Sequence, residues 1–482
     1  MDLDAFRREA HGLVDWMAEY LRTIEDRPVR SQIEPGGVVS RLPAEAPGEP
    51  EAFASILEDF ERIVMPGMTH WQHPRFFAYF PANSSPPSIL AEMLTATLAA
   101  QCMLWQTSPA ASEMEGRVLD WLRRMLGLDE GLRGVIQDSA SSATLCAILT
   151  ARERATGWQA SETGLGDGPK LAVYASDQVH SSIEKAVRIA GLGRKALRLV
   201  PSDERFAMRA DALARMVEAD LAAGVKPACV VATLGTTGVG GIDPLAAIGR
   251  ICRAHDIFLH VDAAWAGSAL LLPETRWMID GIEAVDSFVT NPHKWLCTNF
   301  DCSAHYVRRP DELVRTLSVM PAYLTGRETG KVTDYRDWGI PLGRRFRALK
   351  LWFVIRSYGV SGLQAMLRNH IAWTAELASW IEAAPDFELV SPPVLGLLSF
   401  RCRPPRLEEG GLDEAALDAL NRRLIERLND DGRIYLTQNT VRGRFAIRFS
   451  IGQTTTERRH VEEAWAVVRE LAQTVIREDG AR

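Results

Sequence analysis

"ACVVATLGTTGVGGIDPLAAIGRICRAHDIFLHVDAA", Ala228–Ala264, reads as strand, loop, helix and strand. The runs 228–235 and 257–264 are short and apolar, as strands covered on both faces are. A helical pattern joins them, "DPLAAIGRICRAHD", so the two strands run parallel. Working outward, five more runs have the same character: "GVIQ" (134–137), "LAVYAS" (171–176), "LRLV" (197–200), "DSFVTN" (286–291) and "SAHYV" (303–307). Helical segments such as "SSIEKAVRIAG" (181–191) lie between many of them. The alternation predicts an α/β fold with a mostly parallel seven-stranded sheet and helices on both faces. Sheets of this kind bind ligands at the C-terminal ends of their strands.

At 482 residues the chain exceeds one hydrophobic core, so two or three domains are expected. Residues 1–85 read as helices followed by an aromatic loop, 86–360 as the large α/β domain and 361–482 as a small α+β domain. In the first part Phe6, Ala10, Leu13, Met17 and Leu21 form a helical stripe. Val14, Trp16 and Tyr20 lie off that stripe, so the helix is expected to pack on two partners.

A net charge of −7 argues against nucleic acid or an anionic membrane as the main partner. The start "MDLDAFRREAHGLVDWMAEYL" lacks the basic opening and apolar core of a secretory signal. No run of apolar residues approaches the length of a membrane span. Seven scattered cysteines with no CxxC pair fit a reduced compartment, and a cytoplasmic protein is expected. No metal site is expected: "CTNFDC" (297–302) has the wrong spacing for a zinc knuckle, and His70 and His73 in "HWQH" lack a third ligand.

The chemistry gathers at the strand ends. "VIQ" runs into "DSASSAT", "VYAS" into "DQVHSS", "VATLG" into "TTGVGG", "LHV" into Asp262 and "SFVT" into "NPHK". In a parallel sheet these tips share one rim. "DSASSAT" opens a helix whose N–H groups and hydroxyls suit a phosphate, yet no GK[ST] follows, so it is not a P-loop. A lysine behind a buried strand is costly unless it is paired or chemically used. Singly, Lys294, Asp262 and His180 have plainer readings as a loop residue, a cap and a structural imidazole. Together they form the set that pyridoxal phosphate (PLP) requires. Lys294 supplies the amine for a Schiff base, Asp262 holds the pyridine nitrogen protonated by opposite charge, and His180 covers the ring.

The segments "HWQHPRFFAYFP", "SPAASEMEGRVLDWL", "HVDAAWAGSA", "NPHKWLCTNFDCSA" and "IPLGRRFRALKLWFVIRSYGV" closely resemble the aromatic-L-amino-acid decarboxylase family, the PLP-dependent group II decarboxylases. The resemblance covers nearly the whole chain. It implies a PLP-dependent transferase-like large domain of the aspartate aminotransferase type. It also implies an intertwined homodimer with shared active sites and a swapped N-terminal helical segment, which fits the two-faced first helix. It makes Lys294 the Schiff-base lysine and Asp262 the pyridinium partner, with Ala264 beside the ring and His180 stacked on it. Ser139, Ala140, Ser141, Asn291 and His293 become the phosphate and ring surroundings, and Thr237 a residue near the ring.

Tyr335, in the polar, glycine-containing stretch "GRETGKVTDYRDWGIP" (326–341), resembles the family's catalytic-loop tyrosine. Such a loop is expected to act as a mobile lid whose tyrosine returns a proton to the substrate Cα. Relatives with Phe there tend to be aldehyde synthases, so Tyr335 favours simple decarboxylation. Trp71, Tyr79, Phe80 and Pro81 suggest a pocket for a flat side chain. Gly343 in "IPLGRRF" leaves room for a large ring, which favours dopa, tryptophan or 5-hydroxytryptophan over histidine, with tyrosine and phenylalanine also possible. Three positions depart from the family pattern: Trp265 where Tyr is common, Met103 near an aromatic pocket position, and Ala82 for a Thr. They bear on substrate identity. The expected activity is PLP-dependent decarboxylation of an aromatic L-amino acid to its amine. The alternatives are an aromatic acetaldehyde synthase and a cofactor-free binding protein on the same fold.

Overall fold

The computed structural model describes residues 1–166, 168–319, 331–404 and 413–480. Its seven-stranded sheet is built from β1 (Arg133–Gln137), β2 (Leu171–Ser176), β3 (Leu197–Val200), β4 (Lys226–Thr233), β5 (Phe258–Asp262), β6 (Ser287–Thr290) and β7 (Ser303–Val307). The spatial order is β1-β7-β6-β5-β4-β2-β3. β2 to β6 pair in parallel, whereas β7 runs antiparallel to both β6 and β1. Every residue of β2, β5, β6 and β7 is buried, as the continuous apolar runs require.

Two compact units make up the chain. One contains Ala82–Thr374 and Ser391–Leu398 and holds the seven-stranded sheet. Its core packs the Ala140–Ala155 helix, through Ala147, Ile148 and Ala151, against Val173, Ala175, Cys229 and Val231 of the sheet. Alanine at the contact lets the helix lie close to the strands.

The other unit contains Met1–Pro81, Ala375–Val390 and Ser399–Arg482. The chain's second sheet has the order β10-β11-β9-β8, from β8 (Phe387–Val394), β9 (Leu397–Cys402), β10 (Thr437–Val441) and β11 (Arg444–Ser450). The Glu414–Asp431 helix packs on β11 and on the Arg458–Gly480 helix. The N-terminal segment is tied in through its backbone: Phe77 donates to the carbonyl of Tyr435 (3.0 Å) and accepts from Ser450 N–H (3.0 Å). The first helix, Leu3–Arg22, starts where the Asp2 carboxylate accepts from Ala5 N–H at 2.7 Å, an ordinary N-cap. Its Trp16 and Tyr20 engage Phe60 and His70, while Leu3 and Phe6 stay 84% and 56% exposed. No residue of this helix is buried. Among the described residues no helix is long and apolar enough to cross a membrane.

Candidate active site

The C-terminal tips of β2, β4, β5 and β6 surround a cavity of about 200 Å³. The N-terminus of the Ala140–Ala155 helix closes one side with Ser139, Ala140 and Ser141. Ser139 is its N-cap: the hydroxyl accepts from Ser142 N–H at 3.2 Å. The Ala140 and Ser141 amides have no partner within the helix, as at any helix N-terminus. His180 enters from the loop after β2, Thr237 from the loop after β4, Asp262 and Ala264 from the end of β5, and Asn291, His293 and Lys294 from the turn after β6. All ten positions that the sequence assigns to the cofactor thus line one cavity.

Short hydrogen bonds set each tip. The Asp262 carboxylate, 6% exposed, accepts from Ala264 N–H at 3.0 Å. Asn291 donates its N–H to the Ala264 carbonyl (2.9 Å) and accepts from the Ser303 hydroxyl (2.7 Å), so the turns after β5 and β6 are bonded together. Asn83 grips the lysine turn twice: its N–H donates to the His293 carbonyl (2.8 Å), and its side chain donates to the Lys294 carbonyl. A family model described as the pyridoxal-dependent decarboxylase conserved domain matches residues 35–403.

The chain belongs to that family. It is 46% identical to the aromatic-L-amino-acid decarboxylase of Sus scrofa, over 98% of this chain and 97% of the relative. It is 42% identical to the phenylacetaldehyde synthase of Arabidopsis thaliana, over 98% of this chain and 96% of that one. The solved structure of Oryza sativa TDC with PLP and tryptamine superposes with a TM-score of 0.94 at 36% identity, covering 98% of this chain and 99% of the other.

The donors in this pyridoxal-dependent decarboxylase fit its cofactor. A helix N-terminus for an anion, a carboxylate for a ring cation, an amine for an aldehyde and an imidazole for a ring face all border one space. His180 accepts from Ser182 N–H at Nδ1 at a distance of 3.2 Å. Its neutral ring therefore carries the proton at Nε2. Withdrawal of water holds its pKa below the ordinary imidazole value; Asp262 opposes this, and Lys294 and Lys185 add to it. The electrostatic neighbours of His180 therefore include both other members of the set. His293 is buried, accepts from Cys302 N–H at Nδ1 (2.9 Å), and is pushed down to about 3, mainly by burial.

Five further residues line the cavity: Ser182, Thr233, Gly235, Trp265 and Phe300. Trp265 replaces the common Tyr, and its Nε1–H donates to the Gly235 carbonyl at 2.6 Å. Glycine is required at 235, because the backbone there lies in the left-handed region that favours it. A Cβ would also collide with the Ala266 methyl and the Trp265 indole. Asp243 lies beneath this loop. Its buried carboxylate accepts from Met208 N–H and Thr233 N–H, both at 2.7 Å, and burial raises its pKa to about 7. The sequence signal for it is an Asp ten residues beyond a strand-end Thr, closing a glycine-rich loop.

Other expected residues lie elsewhere. Trp71, Tyr79, Phe80 and Pro81 belong to the unit that carries the chain termini. There Trp71 stacks on Tyr79 (5.7 Å between centroids), and the Tyr79 hydroxyl meets that of Tyr435 at 3.3 Å. Ala82, Met103 and Gly343 belong to the sheet unit but are not among the lining residues. The space over Gly343 is bounded by Gln101, whose amide nitrogen would be 3.2 Å from a Cβ there.

Tyr335, expected at the reacting carbon, is not brought to the cavity. It starts a short 3-10 turn, Tyr335–Trp338, and packs with Val135, Cys146, Leu313 and Trp338. It is 5% exposed, lies under the Arg344 guanidinium (4.9 Å), and its hydroxyl faces Gly116 in a separate cavity of about 610 Å³. Residues 326–330 of the expected lid lie outside the described residues.

Proposed function

We propose that this chain decarboxylates an aromatic L-amino acid to the corresponding amine, with PLP held in the 200 Å³ cavity. The observation that carries the reading is the convergence of Lys294, Asp262, His180 and the helix N-terminus at Ser139–Ser141 on that one space. Dopa, tryptophan and 5-hydroxytryptophan are the favoured substrates, and tyrosine and phenylalanine follow. The resemblance at Gly343 and the relatives named above support this order.

When bound, PLP supplies the electron sink that makes loss of carbon dioxide from an amino acid possible. The residues of the chain do the rest. Lys294 is the residue whose amine would hold the cofactor through its aldehyde. Asp262 would keep the ring nitrogen protonated by opposite charge. His180, which lines the cavity, would cover the ring. The Ala140 and Ser141 amides at the start of the Ala140–Ala155 helix, with the Ser139 and Ser141 hydroxyls, would hold the phosphate. Once carbon dioxide has gone, a proton must reach the substrate Cα. His180 Nε2 and Lys294 Nζ are the lining groups best suited to deliver it.

We further propose a homodimer. Leu3, Phe6 and Val14 on the first helix, and Leu90, Met93, Leu94 and Leu98 on the Pro86–Leu98 helix, are exposed apolar side chains that a second copy would cover. The three-part division at 85/86 and 360/361 is retained as the proposed domain scheme, with the first part as the dimerisation segment. A cytoplasmic location accords with seven free, buried cysteines.

The test is a panel of aromatic L-amino acids with pure PLP-loaded protein, scored for amine and carbon dioxide. Aldehyde, ammonia and hydrogen peroxide in place of amine would mean the aldehyde synthase, a reading that the 42% identity to phenylacetaldehyde synthase keeps in view. Failure to bind PLP would mean a binding protein on this fold.

A further inference from the structure

We propose that Thr144, His260, Ser287 and His305 form a positioning chain that sets the phosphate-holding end of the cavity. The proposal rests on the cofactor reading above. All four residues are buried. They link three strands and one helix in sequence. Thr144 Oγ1 on the Ala140–Ala155 helix meets His260 Nε2 on β5 at 3.0 Å. His260 Nδ1 meets Ser287 Oγ on β6 at 2.9 Å. Ser287 Oγ meets His305 Nε2 on β7 at 2.8 Å. A sheet face beneath a helix is ordinarily filled with apolar groups, as it is here farther along the same helix. Four buried polar groups in one row are a costly substitute unless each is bonded.

Burial pushes both imidazoles down to about 3, so both rings are neutral and each has one donor and one acceptor nitrogen. His305 Nδ1 is buried without a hydrogen-bond partner, which places its proton at Nε2 rather than leaving a donor orphaned. Polarity then runs one way. His305 donates to Ser287, Ser287 donates to His260 Nδ1, and His260 Nε2–H donates to Thr144.

The position of this row gives it a role in the site. Thr144 lies one turn beyond Ala140, on the helix whose first turn borders the cavity. His260 lies two residues before Asp262 on the same strand, so their side chains share a face of the sheet. The Thr144–His260 bond is therefore a tie from the helix that faces the phosphate to the strand that faces the ring nitrogen. It fixes the distance between the two ends of the cofactor. Alanine contacts lower on the helix hold it against the sheet but do not fix how far it slides along its axis; a directional hydrogen bond does. Thr144 and His260 are not among the residues that line the cavity, so they act through the helix and not on the ligand.

The test is binding, not turnover. Apoprotein is titrated with PLP and, separately, with pyridoxal, which lacks the phosphate, and quenching of tryptophan fluorescence gives each dissociation constant. Thr144→Val keeps the shape and removes the partner of His260 Nε2–H. The expected result is a PLP dissociation constant raised about ten-fold, the equivalent of about 1.4 kcal/mol, with that for pyridoxal changed less than about two-fold. Thr144→Ser restores the hydroxyl and should restore PLP binding. His260→Ala should move in the same direction as Thr144→Val, but Thr144→Val decides the matter if the histidine variant fails to fold. Unchanged PLP binding in Thr144→Val would overturn the proposal. So would an equal loss for PLP and pyridoxal, which marks a general structural role. If unmodified protein binds pyridoxal as tightly as PLP, the phosphate reading itself fails, and that result is seen before any variant is made.

Discussion

Lowering the pH from about 7.5 to about 5.5 should destabilise the fold through its buried histidines, above the range in which carboxylates usually titrate. His73, His260, His293, His305 and His370 are each pushed to about 3, with burial the largest cause in every case. Unfolded, they take up protons near the ordinary value of 6.5. Between these limits the unfolded chain binds more protons than the folded one. The stability they contribute is thus present above about 6.5 and lost as pH falls toward about 3. Over the stated interval each costs about 1.4 kcal/mol, so five cost about 7 kcal/mol. Asp243 works in the opposite sense. Its folded value of about 7 exceeds the ordinary 3.8, so acid favours its folded form. That offsets about 2 kcal/mol, leaving a net loss of about 5 kcal/mol, comparable with the whole stability of many domains. The assay is proton uptake on guanidinium unfolding, followed in a pH-stat, beside urea midpoints at the two pH values. These six groups should account for about three to four protons per chain at the lower pH. His260→Gln and His305→Gln should each remove about one. A flat midpoint, or uptake below about one proton, would show that these rings are not buried neutral.

The other predictions concern the site. Lys294→Ala should abolish multiple turnover and the visible absorbance of a conjugated Schiff base, while far-ultraviolet circular dichroism stays that of the unmodified protein. Asp262→Asn should lower the rate about 10- to 1000-fold at saturating PLP, because an opposite charge is worth about one to three pKa units; a near-normal rate would mean that another carboxylate serves the ring nitrogen. Tyr335→Phe should leave amine as the sole product, and His180→Phe should shift product toward aldehyde, ammonia and peroxide in air; gas chromatography of both, with Tyr323→Phe as a third arm because that tyrosine lies outside the described residues, locates the proton donor. Arg344→Met should cost about 3–5 kcal/mol of stability, because removing one partner of a buried ion pair leaves the other charge uncompensated. The stranded group is the Glu115 carboxylate, which Arg344 Nη2 meets at 2.6 Å; an unchanged melting temperature would count against that ion pair.

Much of the sheet was legible in the sequence because strands covered on both faces are mostly apolar. "LAVYAS" coincides with β2, and "SAHYV" with β7. The direction of β7 was not legible, since five buried residues carry no arrow. It is set by the connection: the chain between Thr290 and Ser303 holds only the four-residue helix Pro292–Trp295, too little for a crossover, so β7 returns antiparallel. The cavity lining was legible at the tips of β2, β4, β5 and β6 for a related reason. A polar residue that ends an apolar run has nowhere to go but the rim. Tyr335 shows the limit of that reasoning. Its surroundings in sequence are polar, and polarity there predicted a mobile lid. In the structure its ring is held by Trp338 and by the cationic face of Arg344, whose charge Glu115 neutralises, so a polar stretch contains a core residue.

The residues least visible in sequence form a second layer beneath the rim. Asp243 bonds two backbone amides under the loop after β4. Ser303 bonds Asn291 under the lysine turn. His260 bonds Thr144 in the second turn of the Ala140–Ala155 helix. Each is a polar side chain whose partners lie on another element of the fold, ten to more than a hundred residues away in sequence. Each also sits where a strand tip would otherwise be held only by its ladder, which ends there. A strand fixes the height of its last residue but not the path of the chain beyond it. A cofactor gripped at its phosphate, ring nitrogen and aldehyde needs three such paths fixed at once. The second layer bonds the loop after β4, the turn after β6 and the start of the Ala140–Ala155 helix. Conservative changes within it, Thr144→Val among them, should therefore loosen the cofactor before they unfold the protein, whereas changes to the apolar strands should do the reverse.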